Sequence, residues 1–323
     1  MILFIIVTVL ILASVGICLY CFHTCFYASN RKKQDPYCKL HGQQFLEVQE
    51  QIYASTRRME QIPFEAVTIR SFDGLTLYGR YYHMKDGAPV KIIFHGYRSM
   101  ALRDCAGGFA LSRKLGMNVL AVDQRAHGNS GGHVITFGVL ERRDCLSWIR
   151  YINGRFGNHT PIILSGLSMG AATVIMAAAL PLPANVKCIL ADSPYSAPDE
   201  IIWQVCKDRH FPVKLVYPFI RFAARVFAGF NLEQYSATAA ASVSPVPILL
   251  LHGDDDRFVP CEMSHHIHEM SNGCTKLVTF MDAGHGLSYI VEPERYEQTV
   301  LTFLKQFFPV DEGILSSNSS ANL

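Results

Sequence analysis

Ser168 stands in the run Gly166-Leu167-Ser168-Met169-Gly170, a G-x-S-x-G pattern of the kind that presents a nucleophilic hydroxyl. An apolar run, Pro161-Ile162-Ile163-Leu164, leads into it, and a small-residue stretch from Ala171 to Ala179 leads out. Strand, sharp turn and helix form the setting in which such a serine is lifted to the tip of a strand. The backbones that close around that turn leave no room for a Cβ at 166 or 170. The following helix aims free N–H groups at any anion forming beside the serine. The same pattern also describes a glycine-rich turn that merely contains a serine, so the partners decide the reading.

A serine hydroxyl is a poor nucleophile until a base takes its proton, and the base needs a carboxylate to hold its tautomer. Asp282-Ala283-Gly284-His285-Gly286 follows the last strand-like run and puts His285 in a glycine-flanked loop. Leu251-His252-Gly253-Asp254-Asp255-Asp256 ends the preceding strand-like run and offers two carboxylates, Asp254 and Asp256, that can point the same way. Serine, aspartate and histidine therefore come in that order from three loops at carboxyl ends of strands. His95 and His252 read as loop supports. Ser264-His265-His266-Ile267-His268 superficially looks like a metal cluster, but consecutive histidines on a helix face different directions, so it reads as a solvated face and no metal is expected. The cysteines from Cys105 to Cys274 show no paired spacing and read as free thiols.

These loops need a scaffold. The chain has 323 residues, half of them hydrophobic, and a net charge of +2, which argues against disorder and against a nucleic-acid partner. Two alternating runs at 65–70 and 75–82, joined at Asp73-Gly74, predict a hairpin. Short apolar runs follow at 90–95, 118–123, 161–165, 187–192, 246–252 and 276–281. Helical segments fall between them at about 102–116, 137–153, 169–180, 262–272 and 292–308. This alternation predicts an α/β fold whose eight-stranded, mostly parallel sheet is covered by helices on both faces. More than fifty residues between Asp192 and Val246 break the rhythm, and residues 196–243 are expected to form a helical cap after the sixth strand. Phe219 and Phe222 within it are candidates to contact an apolar substrate. The tail, 310–323, reads as disordered.

Residues 2–22 carry no charged side chain, about the length that crosses a bilayer. A cleaved signal peptide is the competing reading, but the basic start and small-x-small cleavage site that it requires are not evident. Residues 1–27 are thus expected to be a single membrane anchor and 28–63 a stalk whose helix can lie against the catalytic domain, with Phe45, Val48, Ile52 and Met59 loosely on one helical face. The basic cluster Arg31-Lys32-Lys33 follows the apolar run and none precedes it, which places the catalytic domain on the cytoplasmic face.

Taken together, the motifs resemble the α/β-hydrolase superfamily over about residues 64–309. The likeness rests on His95-Gly96-Tyr97, on Asp123-Gln124-Arg125-Ala126-His127-Gly128-Asn129-Ser130, on the turn around Ser168, on His252-Gly253-x-x-Asp256-x-x-Val259-Pro260 and on Gly284-His285. Ala126-His127 departs from the pattern, where glycine is commoner. Within the superfamily the chain is most similar to membrane-anchored bacterial hydrolases of the serine-aminopeptidase and lysophospholipase-like groups. The resemblance implies Ser168 as nucleophile, His285 as base, Asp256 as acid, the backbone amides of Tyr97 and Met169 as oxyanion donors, and no cofactor. The activity it implies is hydrolysis of a small acyl substrate, and the Phe-, Tyr- and Val-rich insertion puts a carboxylic ester first. A serine peptidase or amidase and a catalytically silent binding module are the alternatives.

Overall fold

The computed structural model of the chain describes residues 1–28, 35–40 and 42–308. Three helices come first, α1 (Ile2–Cys25), α2 (Gln43–Leu46) and α3 (Gln49–Glu60), followed by the hairpin strands β1 (Glu65–Arg70) and β2 (Thr76–Tyr82). Next come β3 (Val90–Phe94), α4 (Ala101–Asp104), α5 (Ala106–Lys114), β4 (Asn118–Asp123), α6 (Glu141–Phe156), β5 (Ile162–Leu167), α7 (Met169–Ala177) and β6 (Val186–Asp192). The insertion after β6 holds α8 (Pro198–Asp208), α9 (Val213–Val226) and α10 (Ala237–Ser242). β7 (Ile248–Gly253), α11 (Glu262–Met270), β8 (Thr275–Phe280), α12 (Ser288–Val291) and α13 (Pro293–Leu304) complete the described chain.

The eight strands form one sheet in the order β1-β2-β4-β3-β5-β6-β7-β8. β1 and β2 pair antiparallel, β2 joins β4 antiparallel, and every pairing from β4 to β8 is parallel. Parallel strands covered on both faces are near-continuous apolar runs, and β3, β4 and β7 are buried at every position. Alternate residues feed opposite layers. Ile92, Phe94 and Leu164 pack with Trp148 and Ile149 of α6 and Val174 and Ile175 of α7. Ile93 faces Phe109 of α5 and Met59 of α3, while Ile163 joins Phe303 and Leu304 of α13. The eight-stranded sheet and the helical insertion after the sixth strand are the architecture expected from the sequence.

One region differs in detail from expectation. α6 starts at Glu141, four residues later than the apolar pattern indicates. Phe137 and Gly138 have positive φ, which breaks the helix, and Glu141 instead ties the preceding loop by accepting from Thr136 N at 2.8 Å and Gly138 N at 2.9 Å. The segment after the apolar helix folds onto the body: α3 packs on α4 and α5 through the buried stripe Tyr53, Thr56 and Met59. Of the face expected there, Met59 is buried and Ile52 half-buried.

The apolar N-terminal helix also joins the domain. Residues 1–17 are exposed, whereas Cys18 and Cys21 are buried and Phe22 and Cys25 half-buried, a stripe on one helical face. That stripe packs against α9 of the cap. Phe26, immediately after the helix, is fully buried between Phe137 and Phe230, both in edge-on contact. Ile135 N donates to Phe26 O at 2.8 Å and Ala28 N to His133 O at 2.8 Å. The Arg31-Lys32-Lys33 cluster and the 310–323 tail lie outside the described residues.

Candidate active site

β5 delivers Ser168 to a turn too tight for ordinary geometry. Its backbone sits at φ 55° and ψ −117°, a positive-φ conformation outside the regions that side-chain-bearing residues favour. The flanking glycines are required by close approach: a Cβ on Gly166 would lie 2.2 Å from the Gly170 carbonyl carbon, and one on Gly170 would lie 2.1 Å from Phe94 O. Ser168 N donates to Asp192 O at 2.8 Å, which locks the turn to the end of β6, and α7 starts directly after it.

The loop after β3 lies against this turn, since a Cβ on Gly96 would be 3.5 Å from Ser168 Cβ. Four contacts hold the loop. Gly96 N donates to Asp104 Oδ2 at 2.9 Å, and Arg98 N to His127 Nε2 at 3.0 Å. His95 Nδ1 donates to Gly96 O at 2.8 Å while its Nε2 accepts from Gln124 N at 3.0 Å. Burial, with His95 close by, pushes His127 down to about 3, so it stays neutral and can accept. Among the described residues, the amides of Tyr97 and Met169 donate to no acceptor in the chain.

On the other side, His285 Nδ1 is 2.7 Å from Asp256 Oδ2. With Nδ1 donating to the carboxylate, Nε2 is the nitrogen left for a hydroxyl. The next residue, Gly286, abuts Ser168's neighbour: a Cβ there would lie 2.9 Å from Leu167 Cδ1. Gly286 N also donates to Ser193 Oγ at 3.2 Å.

Asp256 is wholly buried as a side chain and fully partnered. Its Oδ1 accepts from Phe258 N at 2.9 Å and Val259 N at 2.8 Å, and its Oδ2 is shared between His285 and, at 3.2 Å, His252 Nε2. Burial opposes its charge, but His285 and the hydrogen bonds of the two imidazoles hold the carboxyl well below the usual range. Burial likewise disfavours a charged His285, yet Asp256, with Asp192 and Asp104 further off, pushes its pKa up. Asp254 sits elsewhere, accepting from Asp282 N at 2.7 Å and so capping the loop that carries His285.

The other candidates separate by position. Phe219 is half-buried against the main core, and Phe222 is exposed on the outer face of α9. His265 and His266 face solvent, and His268 Nδ1 pairs with Thr275 Oγ1 at 2.6 Å. His95 and His252 support loops, the latter with Nδ1 2.6 Å from Ser264 Oγ and Nε2 2.9 Å from Val259 O. All ten cysteines are free.

Three contributions around Ser168 and His285 escape sequence reasoning. Gln44 of α2 reaches across the histidine loop, its Oε1 accepting from His285 N at 3.3 Å. Asp104 fixes the loop before Ser168 from inside α4. Tyr97 donates its hydroxyl hydrogen to Cys25 O at 2.8 Å, and Arg98 donates to Thr24 O at 2.8 Å and Tyr27 O at 3.1 Å, so the same loop grips the end of α1.

The chain belongs to the alpha/beta hydrolase family, whose model matches residues 92–299. It is 26% identical over 254 residues to the uncharacterized protein YqkD of Bacillus subtilis, spanning 78% of this chain and 82% of the relative. Human protein ABHD12B is 26% identical over 197 residues, 58% of this chain and 51% of the relative. Among solved structures, the esterase Pf2001 of Pyrococcus furiosus superposes with a TM-score of 0.63 at 25% identity, covering 78% of this chain and 94% of the esterase.

Proposed function

We propose that this hydrolase cleaves a carboxylic ester through an acyl-enzyme on Ser168. The observation that carries the reading is the 2.7 Å contact of His285 Nδ1 with the buried Asp256, on a loop packed against the residue before Ser168. Asp256 holds the imidazole with Nε2 unprotonated. Nε2 takes the Ser168 hydroxyl proton as Oγ bonds to the substrate carbonyl carbon. The oxygen of that carbonyl gathers negative charge and is met by the amides of Tyr97 and Met169, each such donor contributing about 3 kcal/mol to the transition state. The imidazolium then protonates the leaving alcohol, the C–O bond breaks, and a water deprotonated by His285 releases the acid and frees Ser168.

The esterase among the similar structures and the lysophospholipase-like side of the motif resemblance both favour an ester over an amide. The half-buried Phe219 of the cap is proposed to contact the acyl group. Residues 1–27 are proposed as an uncleaved anchor, because removing them would strip the fully buried Phe26 from the main core. The cytoplasmic face is proposed for the domain. Ten free cysteines and the basic cluster Arg31-Lys32-Lys33 just after the apolar helix agree with it. Labelling the purified chain with a fluorophosphonate, followed by turnover of p-nitrophenyl esters of graded acyl length, tests the proposal: a labelled serine and measurable turnover are expected, and a folded chain inert to both would overturn it.

A further inference from the structure

We propose that α9 is a second membrane-contact element, lying in the bilayer interface beside α1 with its outer apolar row among the acyl chains. The proposal rests on the reading of α1 as a membrane span. Residues 2–17 stand clear of the domain and give a helical length of about 24 Å, short of the ~30 Å hydrocarbon core. The remaining few ångströms must be crossed by the part of α1 that carries Cys18, Cys21 and Phe22, and this part is packed on α9 and its end, where the Phe22 and Phe227 rings are 6.0 Å apart. Whatever lies beside that stretch of α1 is therefore at the depth of the acyl chains.

What lies there is built for it. Leu215, Phe222 and Val226 are exposed by 69%, 52% and 54%, with Phe211 just before the helix at 47%. Their spacing of seven and four puts the three helical residues on one face. Water gains nothing from such a row, and its place on a helix packed against α1 commits it to lipid. Basic side chains flank it. Lys214, Arg221 and Arg225 are exposed, α9 carries no acidic residue, and Arg221 pairs with Glu233 at 3.6 Å. A helix with an apolar row edged by lysine and arginine settles about 5–10 Å into the boundary between headgroups and acyl chains, favouring anionic lipid. The cap would thereby rest on the membrane.

The test uses the full chain reconstituted in a phosphatidylcholine bilayer containing a minority of phosphatidylserine. Trp203→Phe removes the exposed tryptophan, and Trp148 remains as a constant core background. Phe222→Trp and Leu215→Trp are conservative at exposed positions, and each reports on α9, while Leu10→Trp reports on α1. Lipids carrying a nitroxide high on the acyl chain are expected to quench most of the emission of Trp at 222 or 215, with aqueous iodide quenching little. Strong iodide quenching with none by the nitroxide lipids at both positions, while Trp at 10 is quenched by deep nitroxides, would overturn the proposal and leave the anchor standing. Absence of lipid quenching at position 10 would remove the anchor and the proposal together.

Discussion

Tyr97 donates its hydroxyl hydrogen to the carbonyl of Cys25 at 2.8 Å, so the loop beside Ser168 is fastened to the last turn of the N-terminal helix. The Tyr97 ring also stacks on Phe137 at 5.0 Å, and Phe137 in turn packs edge-on against Phe26. The end of the apolar helix is therefore part of the structure that sets the Tyr97 amide. Tyr97→Phe keeps the stacking and removes one hydrogen bond of ~1 kcal/mol, and a loss of that size in positioning lowers kcat about fivefold with KM little changed. Steady-state kinetics on a p-nitrophenyl ester check this; an unchanged kcat would detach the helix from the chemistry.

Phe26→Ala should destabilise the fold by about 3–5 kcal/mol, the cost of emptying a fully buried aromatic site. Denaturant unfolding in detergent gives the value. Intact mass of the mature chain, isolated from cells, is expected to include the residues before Phe26, because a chain cleaved behind Phe26 would carry the same defect permanently.

The two candidate carboxylates separate by their contacts. Asp256→Asn leaves His285 without an anion to hold its tautomer, and kcat should fall by about four orders of magnitude. Asp254→Asn disturbs only the acceptor for Asp282 N, and turnover should stay within about tenfold. Measuring both variants at matched thermal stability decides; the reverse ranking would move the acid to Asp254.

The pH dependence has a definite sign. His285 must be neutral to accept the serine proton, and Asp256 pushes its pKa above the ordinary 6.5. Activity should therefore rise with pH along an acid limb centred above 6.5, where an unperturbed imidazole would already be neutral. In Asp256→Asn the largest raising influence is gone while burial remains, so the limb of the residual activity should move to lower pH. A limb unmoved by that substitution would mean that another group titrates.

How much of this was readable beforehand follows from what each residue's neighbours do. The sheet was legible because strands buried on both faces read as near-continuous apolar runs, as 92–94 and 119–122 do. The turn at Ser168 was legible because two backbones crossing at 2.1–2.2 Å from a hypothetical Cβ leave only glycine possible. Phe26 was not, because an apolar run reads alike whether lipid or core protein covers it. Gln44 was not, since a glutamine accepting from a backbone amide 241 residues away leaves no local pattern. The cap's aromatics were legible only as a group. Their separation into the half-buried Phe219 and the exposed Phe222 depends on which face α9 turns to α1. Phe219→Ala should accordingly shift the preferred acyl length in an ester panel, whereas unchanged selectivity would reduce Phe219 to packing.

Covalent labelling tests the proposed role of Ser168 as nucleophile directly. A fluorophosphonate should modify the wild-type chain on one peptide, the one containing Ser168, as read by mass spectrometry after digestion. Ser168→Ala should fold normally, lose the adduct and lose about six orders of magnitude in kcat. A folded Ser168→Ala chain that still takes up the probe, or an adduct on another serine in the wild type, would contradict it.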